Sequence, residues 1–195
     1  ALGQFPGHQK VQYIRPHSHQ SASSPFTDRD RFGGYVHHPR FAFFRMNFSR
    51  LAEALGELRA DGMLFDLGVS SPQLDDAARG FSFRSDGPLD MRMDPTSGVS
   101  AGQWLAQAEE QEIREVIRGY GEERFAKQIA AAIVAARGRE PLVRTRQLAD
   151  LVASAVRARE PGQGPATRTF HAVRIHLNRE LVEMSLVLAA ADALV

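Results

Sequence analysis

Cysteine is absent from the 195 residues. That excludes disulfides and thiolate metal ligands, and it fits a reducing compartment. No apolar run approaches the roughly 18 residues of a membrane-spanning helix. The first residues also lack the continuous apolar stretch of a signal peptide, so a cytoplasmic location is expected. Charge of one sign is scarce as well. The formal net charge is +1, so the chain has no global attraction for polyanions and any basic surface must be local. What is present is a 43% hydrophobic content, enough to pack one ordinary domain, or a core with an insertion.

The first 38 residues are rich in Ser, Gln, Pro and Gly and follow neither a strand nor a helix period. They read as an irregular or foreign segment. His8, His17, His19, His37 and His38 fall here without a helical i,i+4 frame or a carboxylate cluster, so no metal site is expected. Order is expected from Pro39 onward. "FAFFRM" at 41–46 has strand character, Ser49 reads as a helix N-cap, and Leu51, Leu55 and Leu58 would share one helix face. After the Asp61-Gly62 turn, residues 63–65 read as a second strand. Strand, helix and strand in this order predict a parallel pair in an α/β sheet.

From Gln103 the pattern is helical. Trp104, Leu105, Ile113, Val116 and Ile117 should face inward before stops at Gly119 and Gly121. Phe125, Ile129, Ile133 and Ala136 form a second face, ended by Gly138. Leu148, Leu151, Val152 and Val156 form a third, from Thr145. Phe170, Val173, Leu177, Leu181, Met184 and Leu188 predict one long amphipathic helix.

"MLFDLGVSSPQLDD", residues 63–76, poses the chemical question. Ligands of open parallel sheets sit beyond the carboxyl ends of strands, where Asp66 would stand. A carboxylate there needs a partner, which a ligand donor or the loop's own backbone could supply; the local pattern leaves both readings open.

"DGMLFDLGVSSPQLDDAARGFSFRSDGPLDMRMDP", "YGEERFAKQIAAAIV" and "PATRTFHAVRIHLNREL" together resemble the bacterial 16S rRNA cytosine-N4 methyltransferases, the RsmH (MraW) family, in order from about Pro39 onward. The resemblance implies a partial Rossmann-like, S-adenosylmethionine-dependent α/β methyltransferase core at 39–96 and 180–195. It also implies an all-helical substrate-recognition insertion at 97–179. The implied reaction is methylation of the N4 amine of a decoding-centre cytidine, with 16S rRNA and the small ribosomal subunit as partners. Phe48, Asp66 and Gln73 fall where the family contacts S-adenosylmethionine. Ser71 and Pro72 resemble the short proline loop with which amino-methyltransferases orient an exocyclic amine. No general base is identified; Asp90 and Asp94 are candidates, with loop ordering the favoured role.

The family's glycine-rich cofactor loop has no counterpart, and "DRD" at 28–30 only echoes its ribose-binding acid. The family's later Ser-Phe-His-Ser block is also missing. The chain therefore reads as the middle of such an enzyme. Weak cofactor binding and marginal stability are the expectations, with uncovered apolar helix faces where strands are lacking.

Residues 114–179 carry 13 Lys or Arg against 6 Asp or Glu. That local excess suits phosphate contact, the alternative being ordinary solvated helix faces. Arg137, Arg139, Arg144 and Arg146 cluster at one turn, with Arg157 and Arg159 near the next. Arg79, Phe81 and Phe83 in "RGFSFRSDGP" suit either a lid over a splayed-out cytidine or packing beneath the loop. Thr167 or Thr169 should cap the last helix. Arg168, Arg174 and Asn178 would share its site-facing side, while His171 and His176 would pack or face solvent. Arg79, Phe81, Phe83, Arg144, Arg146, Arg168 and Arg174 are thus the RNA-contact set. Two further functions stay open, a catalytically inactive RNA-binding fragment and a DNA cytosine-N4 methyltransferase, and so does a homodimer.

Overall fold

The structure, a computed structural model, describes residues 10–11, 47–58, 60–156, 164–192 and 194. The chain divides into two compact units, Ala1–Gly68 with Leu181–Val195, and Val69–Glu180.

The first unit holds strand β1 (Lys10–Val11), a 3-10 turn (Phe48–Arg50) running into helix α1 (Leu51–Leu55), strand β2 (Phe65–Asp66) and most of the chain's last helix. Phe48, Leu51, Leu55, Val187 and Leu194 form its buried cluster, with Met63 and Phe65 packed against it. The amide of Ala60 donates to Leu194 O at 3.0 Å, tying the two stretches of this unit together. Ser49 lies inside the 3-10 turn rather than at a cap, Asn47 takes the cap position, and Leu58 is exposed.

The second unit is a helical bundle: α2 (Ser71–Asp75), α3 (Ala101–Gln107), α4 (Glu110–Gly121), α5 (Ala126–Arg137), α6 (Thr145–Ala155) and α7 (Thr167–Leu177). Its core contains Trp104, Leu105, Ile113, Ile117, Ile129, Ile133, Leu148, Val152, Phe170 and Val173. Each large aliphatic side chain fully buried there contributes about 1.5–3 kcal/mol. α3 starts at a complete capping box, the Ser100 hydroxyl accepting from Gln103 N and Gln103 Oε1 accepting from Ser100 N. α4 and α7 pack closely because Gly121 lacks a side chain: a Cβ there would lie 2.6 Å from Arg168 O.

The expected α/β, partial Rossmann-like core is not what the structure contains. Among the described residues the fold is helical, and the strands are two two-residue segments paired antiparallel, Lys10 with Asp66 and Val11 with Phe65. The expected strand at 41–46 and the histidines of the first 38 residues lie outside the described residues. Among the described residues, the segment read as a strand at 63–65 pairs at Phe65–Asp66 alone, and Leu64 is 71% exposed. A strand of a parallel sheet is covered on both faces, so this environment does not suit one.

The long final helix is also two helices. α7 ends at Leu177, Arg179 takes a left-handed backbone (φ 51°), and α8 runs Glu180–Asp192. Leu181 and Leu188 are exposed, whereas Glu183 and Val187 are the buried residues of α8. Neither Thr167 nor Thr169 caps α7: Ala166 holds that position, and Thr169 is fully buried. Among the described residues no helix is long and apolar enough to cross a membrane.

Candidate functional site

Residues 70–98 link the helices of the second unit. At their start, Ser70 precedes α2 and both its amide (2.8 Å) and its hydroxyl (3.1 Å) donate to Gln73 Oε1. The carbonyls of Ser70 and Pro72 accept from amides of the same helix, from Gln73 and Leu74 and from Asp76 respectively. The "SSPQ" stretch is therefore a helix start rather than an open turn, and those two carbonyls are already engaged. Ser71 is exposed at the first helical position, and its hydroxyl has no hydrogen-bond partner among the described residues. Pro72 is exposed beside it, its ring preset for a first turn.

Of the residues expected at the cofactor, Phe48 and Asp66 belong to the first unit and Gln73 to the second. Phe48 is 1% exposed, its ring enclosed in the cluster with Leu51 and Leu55. Asp66 lies in β2 opposite Lys10, and its side chain is outside the described residues. Gln73 is buried with its oxygen occupied, leaving its amide nitrogen without a hydrogen bond among the described residues. Of the two described side chains, Gln73 keeps one free amide donor and the Phe48 ring is enclosed.

The following loop is bound from several sides. Gly80 has φ 71°, and a Cβ there would lie 2.7 Å from Asp90 N, so the close turn needs glycine. Arg79 donates to the carbonyls of Arg92 and Met93, both at 2.9 Å, and stands 5.6 Å over the Phe81 ring. Phe81 is buried in the core, and Phe83 packs edge-on against Phe170 at 4.9 Å. Phe81 thus packs beneath the loop, whereas Phe83 stays partly exposed.

Met91 is fully buried at φ 61°, a backbone region that costs a non-glycine residue roughly 1–3 kcal/mol. Asn178 holds it there: Nδ2 donates to Met91 O at 2.8 Å, and Oδ1 accepts from Met93 N at 2.7 Å. Leu89 and Asp90 carbonyls accept from Gly102 and Ala101 at the start of α3. Burial pushes the Asp90 carboxyl up, but hydrogen bonds from the Arg92 side chain and amide outweigh it and hold the group below the usual carboxylate value. Asp94 accepts from the Thr96 amide and hydroxyl. Both aspartates order the loop.

The expected RNA-contact arginines divide in the same way. Arg144 is paired with Asp86 at 2.8 Å, and Arg174 with Glu180 at 2.8 Å. Arg168 donates to Glu122 O at 3.0 Å. Arg137, from the same cluster, donates to Leu105 O and Ala108 O at the end of α3, both at 2.6 Å. Arg146 is exposed, and its side chain makes no ion pair among the described residues. Arg157 and Arg159 lie outside the described residues.

Sequence reasoning gave Asn178 only a general side and missed Thr145 as a tether. Thr145 Oγ1 accepts from Gly87 N at 3.0 Å, joining the loop to the start of α6. A threonine opening a predicted helix was the available signal. Among the described residues no group of three or more His, Asp or Glu side chains could hold a metal.

The family model described as the MraW methylase family matches residues 27–195. Similar proteins include a "Ribosomal RNA small subunit methyltransferase H" of Thiobacillus denitrificans, 64% identical over 80% of this chain and 51% of that protein. Proteins of the same name from Nitrosospira multiformis and Ralstonia pickettii are 62% and 58% identical, over 76% and 81% of this chain and 49% and 52% of theirs. The chain spans about half the length of these curated relatives.

Proposed function

Because the chain belongs to the MraW methylase family, we propose that it serves S-adenosylmethionine-dependent methylation of the N4 amine of a cytidine in 16S rRNA, on the small ribosomal subunit. The observation that carries this reading is the family match across 27–195, joined to relatives near 60% identity whose name states a small-subunit ribosomal RNA methyltransferase. When bound, S-adenosylmethionine supplies an electrophilic sulfonium methyl.

The nucleophile is weak, since the lone pair of cytosine N4 is delocalised into the ring. Catalysis therefore requires the amine to be held in line while its N–H groups are accepted by oxygen as positive charge develops. Ser71 supports that role. Its hydroxyl is exposed and uncommitted, on a helix start fixed by Pro72 and by the Ser70–Gln73 contacts. With the Ser70 and Pro72 carbonyls engaged in α2, the Ser71 hydroxyl is an uncommitted acceptor of this stretch. Asp90 is committed to Arg92, which favours loop ordering over proton abstraction. For phosphate contact Arg146 is favoured over Arg79, Arg144 and Arg174, whose guanidinium groups already pair with groups of the protein.

The test is methyl transfer from labelled S-adenosylmethionine to unmodified small subunits, with single-stranded and duplex DNA as competitors. Label in 16S rRNA that DNA does not displace supports the proposal. RNA binding without label at high cofactor selects the RNA-binding reading. Equal labelling of DNA cytosine selects the DNA reading.

A further inference from the structure

The chain contains two Asp-Gly pairs, Asp61-Gly62 and Asp86-Gly87. In sequence they are equivalent; in the structure they are not. An aspartyl–glycyl link can react with itself. The glycine amide nitrogen bonds to the aspartate side-chain carboxyl carbon, the C–OH bond breaks, and the amide proton leaves with that hydroxyl as water. The product is a five-membered succinimide. Water then reopens the ring. Where it breaks the bond from nitrogen to the former main-chain carbonyl carbon, the chain is left running through the side-chain carboxyl carbon, as isoaspartate. Glycine favours the step, because no Cβ hinders the nitrogen and its backbone turns readily. No oxidant, metal or second protein is consumed. The requirements are solvent access, an amide nitrogen that can leave its contacts, and room for the main chain to rotate.

The first pair meets them. Asp61 and Gly62 are both exposed, in a bend outside any helix or strand. The Gly62 amide donates to no backbone carbonyl among the described residues, and nothing lies within 4 Å of where a Cβ would stand.

The second pair does not. The Gly87 amide donates to Thr145 Oγ1 at 3.0 Å in a buried contact, and the Gly87 carbonyl accepts from Thr145 N at 2.9 Å. A Cβ at Gly87 would overlap the Ala77 carbonyl, so the backbone has no room to turn. Hydrogen bonds from the Arg144 side chain and the Arg146 amide hold the Asp86 carboxyl below its usual range. A smaller share of it then carries the proton with which its hydroxyl leaves as water.

We propose that Asp61-Gly62 is a self-modification site, converting through a succinimide to isoaspartate, while the folded structure shields Asp86-Gly87 from the same reaction. This goes beyond the functional reading above and does not rest on it. Its position gives the change a consequence. Ala60, just before it, is buried and tied through its amide to Leu194 O. Met63, just after it, packs against the cluster of Phe48, Leu51 and Leu55. Isoaspartate inserts one extra main-chain carbon between these two anchors and lengthens the segment leading to β2.

The full chain is aged in mildly acidic and in neutral buffer, both folded and in urea, and then digested. The two Asp-Gly peptides are separated by chromatography and read by electron-transfer fragmentation, which tells isoaspartate from aspartate. In the folded protein, succinimide and isoaspartate should accumulate at Asp61 roughly tenfold or more faster than at Asp86, whose glycine must first give up a buried hydrogen bond. In urea the two rates should converge. Gly62→Ala meets open space, so it should keep the native circular dichroism and lose the product at Asp61. Asp61→Asn should convert faster, because ammonia leaves the amide more readily than water leaves the acid. An unmodified Asp61 in the folded chain, at a time when the chain in urea has converted, overturns the proposal. Equal conversion of Asp61 and Asp86 in the folded chain does so too. A rate ratio that urea leaves unchanged overturns the shielding of Asp86, and a product that persists in Gly62→Ala overturns the succinimide route.

Discussion

Asn178→Ala tests one fastening of the loop, that the left-handed backbone at Met91 is held by the Asn178 amide. The amide of Asn178 satisfies Met91 O and Met93 N, and it donates also to Arg174 O at 2.8 Å. Met91 is fully buried and Met93 nearly so, so truncation leaves two main-chain groups short of partners. Each such loss costs about 1–3 kcal/mol. Relaxation of Met91 away from φ 61° returns about 1 kcal/mol. The net expectation is a destabilisation of about 1–5 kcal/mol in urea unfolding. For a unit of this size each kcal/mol lowers the melting temperature by about 4–5 °C.

Asn178→Asp sharpens the test. Its carboxylate keeps the acceptor for Met93 N but turns a negative oxygen toward Met91 O, so at neutral pH it should be no better than alanine. Protonation restores a donor, so this variant should recover stability relative to alanine as the pH falls. A loss under about 0.5 kcal/mol for alanine, or no acid recovery for aspartate, would refute the clamp.

Other outcomes follow from the same geometry. Gly121→Ala should destabilise by about 1–3 kcal/mol on denaturant unfolding despite alanine's better helix propensity, because the new Cβ meets the Arg168 carbonyl; a more stable variant would contradict the α4–α7 approach. Arg137→Ala should cost about 1–2 kcal/mol by uncapping α3, and lysine, lacking the planar fork, should recover only part of it. Burial raises the Glu180 carboxyl above its ordinary 4.5, with Arg174 offsetting only part. The folded protein then holds that proton more tightly than the unfolded chain, so the group's contribution is largest below pH 4.5 and is lost as pH rises through the raised value. The stability difference between wild type and Glu180→Gln should fall across that window, and a flat difference would count against the burial argument. Ser71→Ala should leave stability within about 0.5 kcal/mol, since the hydroxyl is exposed and unbonded, while slowing methyl transfer roughly tenfold or more.

How much of this the sequence announced depends on the kind of interaction. Helices α3 to α6 were legible because burial imposes a 3.6-residue period, and Ile129, Ile133, Leu148 and Val152 obey it. Gly138 ended α5 as expected. The break between α7 and α8 was hidden, because the apolar spacing continues across it without glycine or proline. It is marked by the left-handed backbone of Arg179 beside Asn178, whose amide bonds a loop 85 residues earlier in the chain.

The three apolar residues at 63–65 were too short a run to separate a sheet strand from an edge segment. Their environment decided it. In "SSPQ" the serine-to-glutamine spacing carried a helix-start signal that competed with the loop reading, and the helix is what forms. Arginine roles were the least legible. Nothing in spacing tells a guanidinium that caps α3, as Arg137 does, from one that faces water, as Arg146 does.

The most direct measurement is nucleoside mass spectrometry of 16S rRNA after unmodified small subunits are incubated with this chain and S-adenosylmethionine. The account predicts a new methyl group on the exocyclic nitrogen of one cytidine, retained on the free base after the ribose is removed. A methyl group on the ribose or on a ring carbon, or unmethylated RNA on subunits that demonstrably bind the chain, would contradict it.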